Sequence, residues 1–108
     1  MIIRLISALK DALHGKPLHL RSRRWKGVRK SFLMVYPTCA ACNSKTKLQV
    51  HHIKPFHIHP ELELEPSNLI TLCESKGKQC HLHIGHLGNW KHENPNVVTD
   101  AAIYRNNL

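Results

Sequence analysis

Two sets of residues in this 108-residue chain have the types and spacing to do chemistry. The first is sulfur. Cys39-Ala40-Ala41-Cys42 places two thiols at the separation at which both can grip one tetrahedral ion, and Cys73 and Cys80 form a second, wider pair. Four thiolates suit a closed structural zinc site, because zinc favours soft ligands and imposes no d-electron geometry. Such a site contributes roughly 10–16 kcal/mol of apparent binding free energy in small zinc domains. A mixed set of three cysteines and either His81 or His83 is an alternative, and an even number of cysteines also permits disulfides. A redox C-x-x-C needs a strand-then-helix setting, which the sequence around Cys39 does not offer. The second set is nitrogen: the adjacent pair His51-His52, then Asn68, then His81, His83 and His86. Assigning all four cysteines to one ion leaves these histidines free for other chemistry.

These residues need elements to position them. Ile2, Leu5, Ile6, Leu9 and Leu13 recur at helical spacing, with Gly15 and Pro17 ending the run. Residues 1–21 therefore read as an amphipathic helix and linker, ahead of a domain over 22–108. Ser22 is a candidate N-cap for a second helix reaching about Val35, before Pro37. Trp25, Val28, Phe32 and Val35 form an apolar stripe expected to face the core. Arg23, Lys26 and Lys30 share another face, with Arg24 and Arg29 nearby. That face either contacts phosphates, releasing counterions, or is merely solvated. Leu48 to His52 alternate at strand period, which sends His51 and His52 to opposite faces. Asn68 to Leu72 form a second strand ending at Cys73. Between them, residues 54–67 make a long Pro- and acid-bearing loop, of a length usually functional or ordered by something else. Cys80 and His81 open a short helical segment interrupted by Gly85 and Gly88, and Thr99 caps a last helix over 99–105. His81 and His86 are five apart, poorly matched on a regular helix; Gly85 permits an irregular turn between them. His14, His19 and His92 read as surface, His83 as exposed, and Trp90 as a core plug. His57 and His59 lie in the long loop.

Composition bounds the partners. The net charge is +9, and it is uneven: residues 1–36 hold nine Lys/Arg against Asp11 alone, whereas residues 37–108 hold seven Lys/Arg against six acidic residues. A basic front half is a footprint for a polyanion. The N-terminal apolar run is broken by Arg4, Lys10 and Asp11, so it is neither a secretion h-region nor a membrane span. The expectation is a cytoplasmic protein with reduced thiols, a setting that favours metal over disulfide.

In this order the residues resemble an HNH endonuclease. Val50-His51-His52-Ile53-Lys54-Pro55 is similar to the family's doubled Asp/His-His, Asn68-Leu69 to its middle asparagine, and Cys80-His81 to its last histidine. The zinc-stapled branch also carries a C-x-x-C knuckle before the first strand and a basic, Trp-bearing helix ending near a Pro, as Trp25 to Pro37 do here. Six residues separate Cys73 from Cys80, where the family commonly has two.

The resemblance covers about residues 22–92. It implies an α+β fold: a small ββα-metal, treble-clef-like domain stapled by structural zinc on Cys39, Cys42, Cys73 and Cys80, with flanking N-terminal helices. It implies His52 as the general base, His51 as a ligand of one catalytic divalent metal (Mg²⁺, Mn²⁺, Ni²⁺ or Zn²⁺), and His81 with His86 as the further ligands. Asn68 either ligates that metal or holds the loop that positions His52. The implied partner is DNA, contacted through Arg23, Arg24, Lys26, Arg29 and Lys30, with no membrane and no small-molecule cofactor. Similar small nucleases are encoded by phages beside DNA-packaging genes, which would add terminase proteins as partners in a bacterial host cell. The competing readings are a non-catalytic zinc module for nucleic acid or a packaging partner, a redox or metal-storage protein, and a purely structural zinc protein. None of these gives a reason for the order of His51, His52, Asn68 and His81. Metal analysis of the purified protein should find about one tightly held zinc per chain; folded protein without zinc would refute the staple.

Overall fold

Leu48-Gln49-Val50-His51-His52 and Leu69-Ile70-Thr71-Leu72-Cys73 are rich in the β-branched and aliphatic residues that favour a pleated surface. In the computed structural model, which describes residues 20–108, they form strands β1 (Leu48–His52) and β2 (Leu69–Cys73). The two pair antiparallel, with Leu48 opposite Cys73, His51 opposite Ile70 and His52 opposite Leu69. Every residue of β2 is buried, whereas β1 buries only Val50 and His51. A two-stranded sheet is marginal by itself, so its stability must come from what packs on it. That packing is small: the core is Cys39, Ala41, Ile70, Leu72, Cys73, Cys80, Val97 and Ala101. Three of those eight are cysteines. The knuckle is stitched to the sheet by Ala40 N–H donating to the Thr71 carbonyl at 2.9 Å, and by Thr71 Oγ1 donating to the Tyr36 carbonyl at 3.0 Å.

Helix α1 spans Trp25–Val35. Ser22 is not its N-cap, which is Arg24: Ser22 Oγ accepts from Arg24 N–H and its carbonyl from Trp25 N–H, which inserts a turn before the helix. The apolar stripe does not become core. No residue of α1 is buried, and Val35 is 68% exposed. The sheet below is too narrow to cover the helix, which is instead held along β1 by Arg29 Nη2 donating to the Leu48 carbonyl at 3.4 Å and to Gln49 Oε1 at 3.3 Å.

The long loop carries two single 3₁₀ turns, Pro60–Leu62 and Pro66–Asn68, each opened by a proline whose fixed φ suits a first helical position. Asn68 thus closes the loop rather than starting β2. Helix α2 spans Val97–Asn106 and buries Val97 and Ala101. Its cap is Asn96, not Thr99; buried Asn94 sets the start, accepting from Asn96 N–H at 2.9 Å and donating to Asp100 and to the Ile84 carbonyl. The amphipathic N-terminal helix expected from Ile2 to Leu13 lies outside the described residues. Among the described residues no helix is long and apolar enough to cross a membrane. Leu72 is fully buried at the centre of this small core, so Leu72→Ala should lower unfolding free energy by about 2–5 kcal/mol, measured by urea titration with zinc content checked.

Candidate active site

The Cys39-Cys42 knuckle, the end of β2 and the residue opening the next turn bring four sulfurs together. Cys39, Cys42, Cys73 and Cys80 Sγ all lie within 4.8 Å of one another, and Cys42 and Cys73 Sγ are 3.5 Å apart. Four sulfurs at about 2.3 Å from a tetrahedral zinc would be about 3.8 Å apart, a spacing this set approaches. No disulfide links them. Burial and the neighbouring Cys39 push the Cys80 thiol up. Burial acts the same way on Cys73, but N–H groups of Cys80 and Ser75 and two neighbouring thiols outweigh it and bring Cys73 down to about 6. Such crowding of ionisable sulfurs is relieved by a bound cation. Neither His81 nor His83 joins this cluster, which decides against the mixed set. The extra residues between Cys73 and Cys80 fold into a turn, with Lys78 and Gln79 N–H both donating to the Ser75 carbonyl and Gly77 at φ +84°, and Cys80 reaches the cluster regardless.

A second cluster is made of imidazoles. His51 Nδ1 lies 3.1 Å from His81 Nε2, which lies 3.3 Å from His86 Nε2. Nitrogens at about 2.0–2.1 Å from a tetrahedral ion would be about 3.4 Å apart. The outer partners fix the protons. The His86 Nδ1–H donates to the His92 carbonyl at 2.8 Å, and His81 Nδ1 faces the Glu74 carboxylate at 3.1 Å. Both rings therefore turn a bare Nε2 lone pair inward, as metal-ligating histidines do when a carbonyl or carboxylate holds the other nitrogen. His51 Nε2 is buried without a hydrogen-bond partner, and its Nδ1 is the nitrogen that faces the other rings. Burial, reinforced by His81, His86 and His52, lowers the His51 pKa to about 3; burial also lowers His81, against the pull of Glu74. His51 and His81 are thus neutral and ready to ligate at neutral pH. The donor set fits a divalent metal.

The spacing problem between His81 and His86 is solved by a single π turn, His81–Gly85. A wider turn brings residues five apart onto one side, and such turns concentrate at functional sites. Gly85 serves through its size. A Cβ there would sit 3.2 Å from Leu72 Cδ1, 3.3 Å from His51 Cε1 and 3.3 Å from His81 Cδ2. Trp90 is not a core plug: it is 54% exposed and packs against His81 and His86 with ring centroids 5.1 and 4.9 Å away. His83 is exposed, as expected.

His52 leaves β1 on the other side from His51, as strand alternation requires. Its Nε2–H donates to the Glu63 carbonyl at 2.9 Å, leaving Nδ1 with its lone pair. Burial holds its pKa below the usual imidazole range; the Glu63 carbonyl and carboxylate oppose this and the Arg21 charge adds to it. The Trp25 ring packs on the imidazole at 4.5 Å between centroids. Buried Asn68 makes no approach to the imidazole cluster. Its Oδ1 accepts from Lys54 N–H at 2.8 Å, and its Nδ2 donates to the carbonyls of Lys54 and Leu62 at 3.1 and 3.3 Å, while its own carbonyl accepts from Ile53 N–H. One side chain thereby pins the start of the loop at Lys54 and, at Leu62, the residue before Glu63.

His51, His52, His81 and His86 line one cavity of about 380 Å³ together with Arg21 and Phe56. Sequence reasoning passed over Arg21 and Glu63. Their signal was weak, since one is a basic residue among many and the other an acid in a loop. Of the basic residues singled out on α1 and in the turn before it, Arg23, Arg24, Lys26 and Lys30 are exposed, whereas Arg29 is half-buried on the β1 edge. Residues 39–87 match the family model described as HNH endonuclease. No curated protein and no solved structure gives a match. The matched segment runs from the first cysteine to just past His86 and contains both clusters.

The lowered imidazoles make a stability prediction whose sign is fixed. A histidine whose pKa is depressed on folding binds more protons in the unfolded chain, so stability is present above the unfolded value of about 6.5 and is lost as pH falls below it. Urea midpoints should fall as pH is lowered from about 7.5 to 5.5, and His51→Gln should flatten that fall; an unchanged slope in the variant would remove His51 as its source.

Proposed function

We propose that this chain, whose residues 39–87 match the HNH endonuclease family model, is a metal-dependent DNA endonuclease that hydrolyses phosphodiester bonds. The observation that carries the reading is that two differently prepared kinds of imidazole share one cavity. Three rings turn lone pairs toward a common point, and a fourth, His52, keeps a free Nδ1 beside them.

His51, His81 and His86 would hold a divalent cation, which when bound supplies Lewis-acid stabilisation of the phosphate and of the departing oxygen. His52 Nδ1 accepts the proton of the attacking water, a role for a neutral imidazole already aimed by its other nitrogen. Asn68 holds the loop from which His52 takes its orientation. Arg21, whose guanidinium stands 4.4 Å over the Phe56 ring within the cavity, is a cation within reach of a phosphate. An all-imidazole donor set suits Zn²⁺ and Ni²⁺, whereas Mg²⁺ prefers oxygen, so Mg²⁺ is the weakest activator expected. Arg23, Arg24, Lys26 and Lys30 offer exposed positive charge to flanking phosphates.

Supercoiled plasmid incubated with the protein and Mg²⁺, Mn²⁺, Ni²⁺ or Zn²⁺ should be nicked or cut. His52→Ala should slow this by roughly 10²–10⁴-fold while retaining the cysteine-bound zinc. Equal activity in that variant would remove His52 as the base. DNA binding without cleavage in every metal would favour a zinc-stapled binding module instead.

A further inference from the structure

Glu63 is a buried carboxylate, 4% exposed, in a loop of a small basic protein. A buried charge is costly unless it is paired and hydrogen-bonded. Its partners come from far back in the chain: Oε1 accepts from Ser22 N–H at 3.0 Å and Oε2 meets Arg21 Nη1 at 3.4 Å. The same residue's backbone carbonyl is the acceptor for His52 Nε2–H at 2.9 Å. The segment anchored by the carboxylate also delivers the other surface against His52, because Ser22 O accepts from Trp25 N–H and the Trp25 ring lies 4.5 Å from the imidazole. The ring of His52 is therefore gripped at its edge by Glu63's carbonyl and on its face by Trp25, and one buried carboxylate holds both grips in register.

We infer that Glu63 is a positioning residue, whose carboxylate locks the Arg21-Ser22 segment to the loop and so fixes the orientation of His52. The inference rests on the reading of His52 as proton acceptor. Asn68 fixes the preceding carbonyl, that of Leu62, and the Pro60–Leu62 turn accepts Glu63 N–H at the Pro60 carbonyl at 3.2 Å. The backbone at Glu63 is thus constrained from the loop side, and the carboxylate is the link to the helix side. Misplacing a catalytic group by about an ångström costs up to roughly 100-fold in rate.

Two independent readouts test this on the full-length, zinc-loaded protein. In steady-state plasmid cleavage, Glu63→Ala should lower kcat roughly 10- to 100-fold with KM within about twofold of wild type, a change confined to the chemical step. Glu63→Gln, whose amide oxygen can still accept from Ser22 N–H, should recover most of it. Should Glu63→Ala lose zinc, Glu63→Asp, too short to reach both partners, reads the same contact. The double variant His52→Ala/Glu63→Ala should be no slower than His52→Ala alone, since residues acting as one unit are non-additive. Separately, ¹⁵N NMR of the His52 ring should show a single Nε2-protonated tautomer in wild type and a mixture in Glu63→Ala or Glu63→Asp. Wild-type kcat with an unchanged tautomer in these variants, or multiplicative losses in the double variant, would overturn the inference while leaving the nuclease reading intact. If the wild type cuts no DNA, the tautomer measurement alone decides the role of Glu63.

Discussion

Four thiols meeting at one point are the constraint on which the rest of this structure depends. They join three pieces of chain with little else in common: the knuckle at Cys39 and Cys42, the end of β2 at Cys73, and the entry to the π turn at Cys80. A core of eight small and medium residues could not hold these in register against chain entropy. The sulfurs themselves oppose their own clustering when charged, so a soft tetrahedral cation bound there would turn the least favourable feature of the core into its staple.

The imidazole cluster is downstream of that staple in a mechanical sense. Cys73 ends the strand paired with β1, which carries His51, and Cys80 immediately precedes the turn that carries His81 and His86. Fixing the two cysteines fixes the distance between the two halves of the histidine site. Gly85 then lets the turn press against His51 and Leu72, where a methyl group would intrude. Outer partners on Glu74 and the His92 carbonyl fix ring orientation and proton position, so the lone pairs are aimed before any cation arrives.

His52 belongs to a different mechanical unit. It shares β1 with His51, but alternation sends it to the loop side, where a carbonyl, an aromatic face and an asparagine clamp govern it. This division lets adjacent residues differ in environment: His51 has its Nδ1 against another ring and its Nε2 buried without a partner, and His52 lines a cavity shared with a guanidinium. The basic helix contributes to this unit through Trp25, a residue whose periodicity pointed only to core.

The chemistry-bearing residues were legible in the sequence by themselves, because ligand chemistry depends on residue type and order. The C-x-x-C knuckle, the second cysteine pair, the doubled histidine, the asparagine and the later histidines were all readable in advance, as were both strands, whose period-2 and apolar runs are local signals. Tertiary structure decided what local pattern cannot carry. The apolar stripe of Trp25, Val28, Phe32 and Val35 has helical periodicity, which fixes a face but not whether anything covers it; here the sheet is too narrow to do so. Trp90 lies on the outer side of two histidines rather than in the core. The approach of His81 to His86 required a π turn, whose hydrogen bonding no residue spacing dictates. The choice between ligation and loop-clamping for Asn68, and the pairing of Arg21 with Glu63 across 42 positions, depend on groups distant in sequence. A side chain's type sets what it can do, and only the fold sets which partner it meets.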